Sequence, residues 1–382
     1  MLASALGEVD ASRYPLAHDN PMKIVHVETG RHFYGGAQQV IWLINGLAAQ
    51  GIENLLVCPP DSAIDKVARS ASIPVHNLDC AGDHDLQFAW QLRKLARKER
   101  PDVVHCHSRR GADFLGGQAL ALTGVPAVLS RRVDHVESRI LAKWRYRPFR
   151  RVIAISDHIA DVLKDSGLDP ERLVTIRSAV DTDSINATPD CHAFRTEFEI
   201  DKDDFVIAMI AQFIPRKGHR FLFDVIPNFR DGYPNIKVLL FGSGPLEAEL
   251  RALATMMNLY GTLQFAGFRE DLDDYLACID LLIHPAVREG LGVAMLKAAA
   301  ACVPVLAFDT AGSQEAVVHG KTGVLVSSED VATMQKAIAL LIDETEMRLE
   351  FGKAGRQRMK DDFSVDRMVE RHIELYASVI DG

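Results

Sequence analysis

A chain of 382 residues is too long for one small hydrophobic core and points to two domains or three. Hydrophobic residues at 48% and charged residues at 25% give the balance of a folded globular protein, which excludes a disordered or fibrous one. The 43 Lys and Arg against 52 Asp and Glu leave a net charge of -9, which argues against binding nucleic acid through overall basic charge.

Cys58, Cys80, Cys106, Cys191, Cys278 and Cys302 are scattered, with no Cys-x-x-Cys pair. They read as reduced cytoplasmic thiols, with neither structural zinc nor a disulfide framework. The first twenty residues carry Glu8, Asp10, Arg13 and Asp19 and do not read as a secretory signal. Residues 1–21 are expected to be a disordered extension ahead of Met22. No run reaches the roughly 18–20 apolar residues that span a bilayer. The nearest, Phe114 to Leu129, is broken by Gly116, Gly117, Gly124 and Pro126 and reads as a buried helix followed by a strand.

From Met22 onward, short apolar runs alternate with helical patterns. Ile24–Val27 reads as a strand, then a glycine loop, then an amphipathic helix over Ala37–Ala49. Further strands are expected at Asn54–Cys58, Val75–Leu78, Val103–Cys106, Ala127–Leu129, Val152–Ile155 and Leu173–Ile176. A polar stretch from Asp165 to Asp204 interrupts the pattern. It restarts at Phe205–Ile210, Val238–Phe241, Leu263–Phe265, Leu281–Ile283, Val303–Ala307 and Val324–Val326, and Ser364–Ile380 closes as an amphipathic helix. Buried strands with helices between them imply parallel sheets covered on both faces. The fold class is therefore α/β, with two doubly wound, Rossmann-like units facing across a cleft. The expected divisions are 22–180, 181–363 and a C-terminal helix over 364–382 packing back on the first unit. Open parallel sheets bind ligands at the carboxyl ends of their strands.

Six segments at those ends carry candidate chemistry. After the first strand, Gly35-Gly36 precedes a helix, where close backbone approach and free N–H groups suit an anion; a plain tight turn fits equally well. The spacing matches neither a dinucleotide fingerprint nor a P-loop. His105-Cys106-His107 places two imidazoles on one face of a strand end, in either a packing or a ligand-facing role. Gln212 to Gly218 includes Arg216 and Lys217, adjacent cations suited to a pyrophosphate or to a solvated helix cap. Gly242-Ser243-Gly244-Pro245 forms another strand-to-helix loop. His284 to Gly292 sets Glu289 beside Gly290, Leu291 and Gly292 at a helix start, a carboxylate for sugar hydroxyls next to N–H donors for phosphate. Gly312 and Glu315 repeat the theme.

Together these loops resemble the family-four retaining glycosyltransferases of the GT-B fold, over nearly everything from Met22 onward. The resemblance rests on Gly35-Gly36, His105-x-His107, Lys217-Gly218, Gly242-x-Gly244-Pro245, Arg288-Glu289-Gly290-Leu291 and Gly312-x-x-Glu315 in that order. It implies transfer of a sugar from a nucleotide donor in the C-terminal unit to an acceptor in the N-terminal unit, with no metal ion. By the same resemblance, Glu289 holds donor-sugar hydroxyls, Lys217 neutralises the departing diphosphate, and amides near Gly290 and Gly312 assist. His107 then faces the reaction centre, and Gly35-Gly36 approaches the donor. A front-face displacement assisted by the leaving phosphate is implied, since no carboxylate stands out as a nucleophile.

Two positions depart from the family pattern. Lys297 stands where a second glutamate accepts the nucleotide ribose, and an ammonium cannot accept. Gln212 stands where an arginine is common. Both leave open a non-catalytic sugar-nucleotide-binding or scaffold protein of the same fold; a GT-B-fold sugar-nucleotide epimerase is the other alternative.

Asp181-Thr182-Asp183 matches the Asp-x-Asp of metal-dependent transferases but lies in the interdomain linker, so turn and cap roles are expected. Residues 131–151 hold eight Lys or Arg against Asp134 and Glu137, with Trp144, Tyr146 and Phe149 interleaved. That local charge of +6 suits either a solvated helix or anionic lipid. Joined to the resemblance, it favours a lipid-linked or lipopolysaccharide acceptor and peripheral contact at the inner membrane's cytoplasmic face, with no nucleic acid.

Overall fold

The computed structural model describes residues 21–107, 111–229 and 232–382. The expected N-terminal extension falls, up to residue 20, outside the described residues.

The first half runs β1 (Lys23–Val27), α1 (Gly35–Ala49), β2 (Glu53–Cys58), α2 (Ala63–Ser70), β3 (Val75–Asn77), α3 (Leu86–Glu99) and β4 (Val103–Cys106). It continues through α4 (Gly117–Ala121), β5 (Ala127–Arg131), α5 (Arg139–Tyr146), β6 (Arg151–Ala154), α6 (Asp157–Asp165) and β7 (Leu173–Thr175). These seven strands form one parallel sheet in the order β3-β2-β1-β4-β5-β6-β7. The order reverses between β1 and β4, where a doubly wound sheet opens its ligand crevice.

The second half contains α7 (His192–Glu197), β8 (Phe205–Ile210), α8 (His219–Val225), β9 (Ile236–Phe241), α9 (Glu247–Met256), β10 (Leu263–Gly267) and β11 (Leu281–His284). Then come α10 (Val293–Ala300), β12 (Val305–Phe308), α11 (Ala311–Ala316), β13 (Gly323–Val326), α12 (Val331–Asp343), α13 (Thr345–Asp362) and α14 (Val365–Ile380). Its six parallel strands are ordered β10-β9-β8-β11-β12-β13, with the reversal between β8 and β11.

The strands form where apolar runs can be buried on both faces. Every residue of β4, β5, β11 and β12 is buried. The helices present one apolar stripe: α14 buries Met368, Val369, Ile373, Tyr376 and Val379 against Met22, Ile24 of β1, Leu43 of α1 and Val128 of β5. Ser364 caps α14 by accepting from the Arg367 N–H, and the Val180 N–H donates to Phe363 O at 2.8 Å, so the chain crosses back onto the N-terminal unit there. The apolar stretch around Phe114 becomes a short wide turn, Ala112–Gly116, then α4 and β5.

Two expectations are corrected. Cys191 and Cys278 form a disulfide, so two of the six thiols expected to be reduced are joined. They are 87 residues apart, a separation with no sequence signature; the fold brings both to the apolar cluster under β8 and β9. The basic patch is also smaller at the surface than its sequence suggests. Arg145 turns inward, with Nη1 2.7 Å from Asp113 and Nε 3.3 Å from Glu137, and Arg131 is buried 3.7 Å from Glu137. Two of its eight cations are thus spent inside the protein.

Candidate active site

Three loops at the carboxyl ends of β8, β11 and β12 meet because glycines let their backbones touch. A side chain on Gly218 would put its Cβ 1.9 Å from Pro285 O, and one on Gly312 would put it 2.2 Å from Glu289 O. Gly242 and Gly244 bring the β9 loop equally close to Ala211 and Phe213.

Glu289 lies at the centre of this junction, 8% exposed. Its carboxylate takes an ion pair from Lys217 and a hydrogen bond from the Gly290 N–H at 3.1 Å, and lies 2.8 Å from His284 Nε2. Burial alone would raise the Glu289 carboxyl. The His284 contact and the Lys217 ammonium outweigh it and hold the group well below the usual carboxylate range. Burial holds His284 neutral, its pKa lowered despite the adjoining carboxylate.

The other predicted residues fall around this centre in different roles. The Arg216 Nη1 donates to Arg288 O at 3.1 Å and steadies the turn that carries Glu289. Leu291 is buried in the core under that turn, and Gly292 starts α10 with a positive φ of 78°. Gln212 adjoins the β8 loop, its carbonyl accepting from the Ile214 N–H at 2.9 Å. Lys297, on α10, pairs with both carboxylate oxygens of Asp273 at 2.6 and 2.9 Å. Glu315 points across the domain seam: its carboxylate accepts from the Asp157 and His158 N–H groups at 2.9 and 2.8 Å, at the start of α6. Asp181 Oδ1 accepts from the Asp183 and Ser184 N–H groups, the turn role expected for that motif.

The N-terminal unit meets this centre directly. Gly35 lies against Val293 of α10, its added Cβ falling 3.2 Å from the valine methyl, and Gly36 lies against Arg132. Ser156 Oγ donates to Gly290 O at 2.8 Å, and Arg288 Nε is 3.6 Å from Asp134. His107 is 2% exposed at the end of β4, its Nε2 3.0 Å from His26 Nδ1. His26, His105 and His107 each place a nitrogen within 4.8 Å of the others.

Sequence reasoning missed His26, Arg132, Asp273 and His284. His284 closes a buried strand directly before the Glu289 turn, so its position carried a signal. Arg132 lay hidden among seven other cations. It sits in the seam, its guanidinium brought down to about 10 by burial while Glu28 pulls it up.

Two family models match the chain, Glycosyltransferase Family 4 over residues 34–184 and Glycosyl transferases group 1 over residues 192–358. The chain is a family-four glycosyltransferase of the GT-B fold. It is similar to the Rhizobium meliloti lipopolysaccharide core biosynthesis glycosyltransferase LpsE, 24% identical and covering 94% of this chain and 99% of that relative. It is similar to the Escherichia coli UDP-Gal:alpha-D-GlcNAc-diphosphoundecaprenol alpha-1,3-galactosyltransferase, 21% identical over 94% and 97%. Among solved structures, Anabaena Alr3699/HepE in complex with UDP and glucose superposes with a TM-score of 0.84 at 20% identity, covering 94% of this chain and all of that one. In this family-four glycosyltransferase, the paired Lys217 and Glu289 set a cation and a carboxylate side by side next to the contact between the two units.

Proposed function

We propose that this glycosyltransferase is retaining and metal-independent, and moves a sugar from a nucleotide-sugar donor to a glycan or lipid-linked acceptor in cell-surface polysaccharide or lipopolysaccharide synthesis. The observation that carries the reading is the buried Lys217–Glu289 pair beside the α10 N-terminus. When a donor enters, the Lys217 ammonium turns to its diphosphate and the Glu289 carboxylate accepts hydroxyls of the sugar. Breaking the anomeric C–O bond sends its electron pair to the diphosphate, where Lys217 and the α10 amides stabilise the charge as it grows. The acceptor hydroxyl adds on the same face, and its proton passes to the departing phosphate oxygen. The names of the Rhizobium and Escherichia relatives support the polysaccharide setting.

The exposed surface of α5 and its flanks supports placing the proposed enzyme peripherally on the inner membrane's cytoplasmic face. Val136, Ile140, Leu141 and Trp144 are exposed, Ile140 by 87%, beside exposed Arg139, Lys143, Arg147 and Arg150. Apolar side chains ringed by cations suit an anionic lipid surface. Among the described residues no helix is long and apolar enough to cross a membrane.

A thermal-shift screen across UDP-, GDP- and ADP-sugars, followed by transfer assays with and without EDTA, tests the proposal. Transfer that survives EDTA, retains anomeric configuration and is lost in Glu289→Ala is expected. Donor binding without turnover would make the chain a scaffold, and release of a free epimerised sugar nucleotide would make it an epimerase.

A further inference from the structure

The buried polar chain behind His107 has a proton order that can be worked out atom by atom. It begins at Asn54, whose Nδ2 donates to Ile52 O at 2.7 Å. That bond orients the amide, so the group facing His26 Nε2 at 2.9 Å is Oδ1, which only accepts. His26 Nε2 must therefore carry the hydrogen. His26 is fully buried, and burial lowers its pKa to about 4 against the opposing Asn54 bond. A neutral imidazole has one N–H, so His26 Nδ1 is a bare lone pair. His107 Nε2, 3.0 Å away, supplies the hydrogen of that contact.

His107 is also buried and held neutral, its ring centroid 3.7 Å from that of His105. With its hydrogen on Nε2, its Nδ1 is a bare acceptor. That atom is buried and has no hydrogen-bond partner among the described residues. Leaving such an acceptor unmet costs about 1–3 kcal/mol. The strand pairing makes the arrangement: His26 lies opposite His105 across β1 and β4, and the His107 N–H donates to Val27 O at 2.9 Å. The residues of this chain of bonds therefore share one sheet, and His107 ends it just past the carboxyl end of β4.

We propose that Asn54 and His26 are positioning residues that hold His107 in its Nε2–H form, so that His107 Nδ1 accepts a hydrogen bond from a hydroxyl of the sugar bound in the cleft. The inference rests on the glycosyltransferase reading above and specifies the chemistry at one point of its site. A bare imidazole nitrogen accepts from O–H and repels phosphate oxygens, so the relay selects a hydroxyl at this position. The proton order also opposes a metal ion among the three histidines: His26 has no free lone pair unless its bond to His107 is broken.

Long-range proton–nitrogen spectra of the full chain with 15N-labelled histidine read the relay without any activity assay, His107 being assigned by its absence in His107→Gln. The expected spectrum shows wild-type His107 neutral with hydrogen on Nε2. Nδ1 should shift when a bound sugar nucleotide is added and stay in place with the nucleoside diphosphate alone. Asn54→Leu should scramble the His107 tautomer and lower kcat/KM about tenfold, the effect of one hydrogen bond of about 1.4 kcal/mol, while Asn54→Asp should restore the tautomer. A hydrogen on Nδ1 in the wild type, an equal response to nucleotide alone, or stoichiometric zinc that shifts all three rings would overturn the proposal. The expected tautomer and sugar response in a protein with no transfer activity would instead overturn the catalytic reading and leave the relay standing.

Discussion

Lys297 and Asp273 form an ion pair between α10 and the turn before β11, with Nζ 2.6 and 2.9 Å from the two carboxylate oxygens. Where the family carries a second glutamate, this chain carries a cation that already has an anionic partner. Lys297→Glu would set two carboxylates against each other rather than rebuild a ribose contact. The partly exposed pair contributes about 0.5–1 kcal/mol, and like-charge repulsion adds to its loss. We expect Lys297→Glu to lower the melting temperature and weaken donor binding in calorimetry, and the double variant with Asp273→Lys to recover much of the stability. Tighter donor binding in the single variant would refute this account.

Glu289→Gln keeps the shape of the site but leaves Lys217, whose side chain is only 11% exposed, without its counter-charge. Breaking one side of such a pair costs more than the pair itself contributes. We expect a loss of about 3 kcal/mol in stability and a fall of at least about 100-fold in turnover. The pH sense also follows. A carboxyl held below its ordinary value stabilises the fold fully above about pH 4.5, its value when unfolded, and that contribution is lost as the pH falls. Urea midpoints and initial rates for both proteins check the two effects.

Buried histidines give the protein a second, larger acid sensitivity. Burial lowers His26 and His219 to about 4 and His372 to about 3, and it lowers His105, His107 and His284 too. Between pH 6.5 and about 4 the unfolded chain takes up protons at these sites that the folded chain refuses, so stability is full above 6.5 and falls as the solution is acidified. Each site adds up to about 1.4 kcal/mol per pH unit to the slope. Unfolding near pH 5 should take up at least about three protons, measured by denaturation at a series of pH values. A flat profile from pH 7 to 5 would contradict this burial.

The strands were legible from sequence because each is a short apolar run that must be buried, and period-two alternation placed His105 and His107 on one face. Glu289 was legible because a carboxylate followed by glycines at a strand end has few structural uses. The partners of these residues were not. Lys297 meets Asp273 because α10 packs beside a turn 24 residues earlier in the same unit, and Glu315 meets a helix start 158 residues away, a pairing that exists only once the two units have docked. Arg145 read as a surface cation because its buried partner, Asp113, sits on a different helical turn.

The α6 start is capped twice, by Ser156 Oγ accepting from the Ile159 N–H and by Glu315 accepting from the Asp157 and His158 N–H groups. Arg177 adds an ion pair to the same carboxylate at 3.4 Å. An anion at a helix N-terminus stabilises it through the dipole and by satisfying donors, worth about 1–2 kcal/mol together. Here that energy belongs to the docking of two domains, since helix and cap lie on opposite sides of the seam. Glu315→Ala should therefore loosen the seam more than it unfolds either unit. Amide exchange at Asp157 and His158 should quicken, urea unfolding should broaden toward two steps, and donor KM should rise with little change in kcat. Unchanged exchange with a collapse of kcat would place Glu315 at the reacting sugar instead.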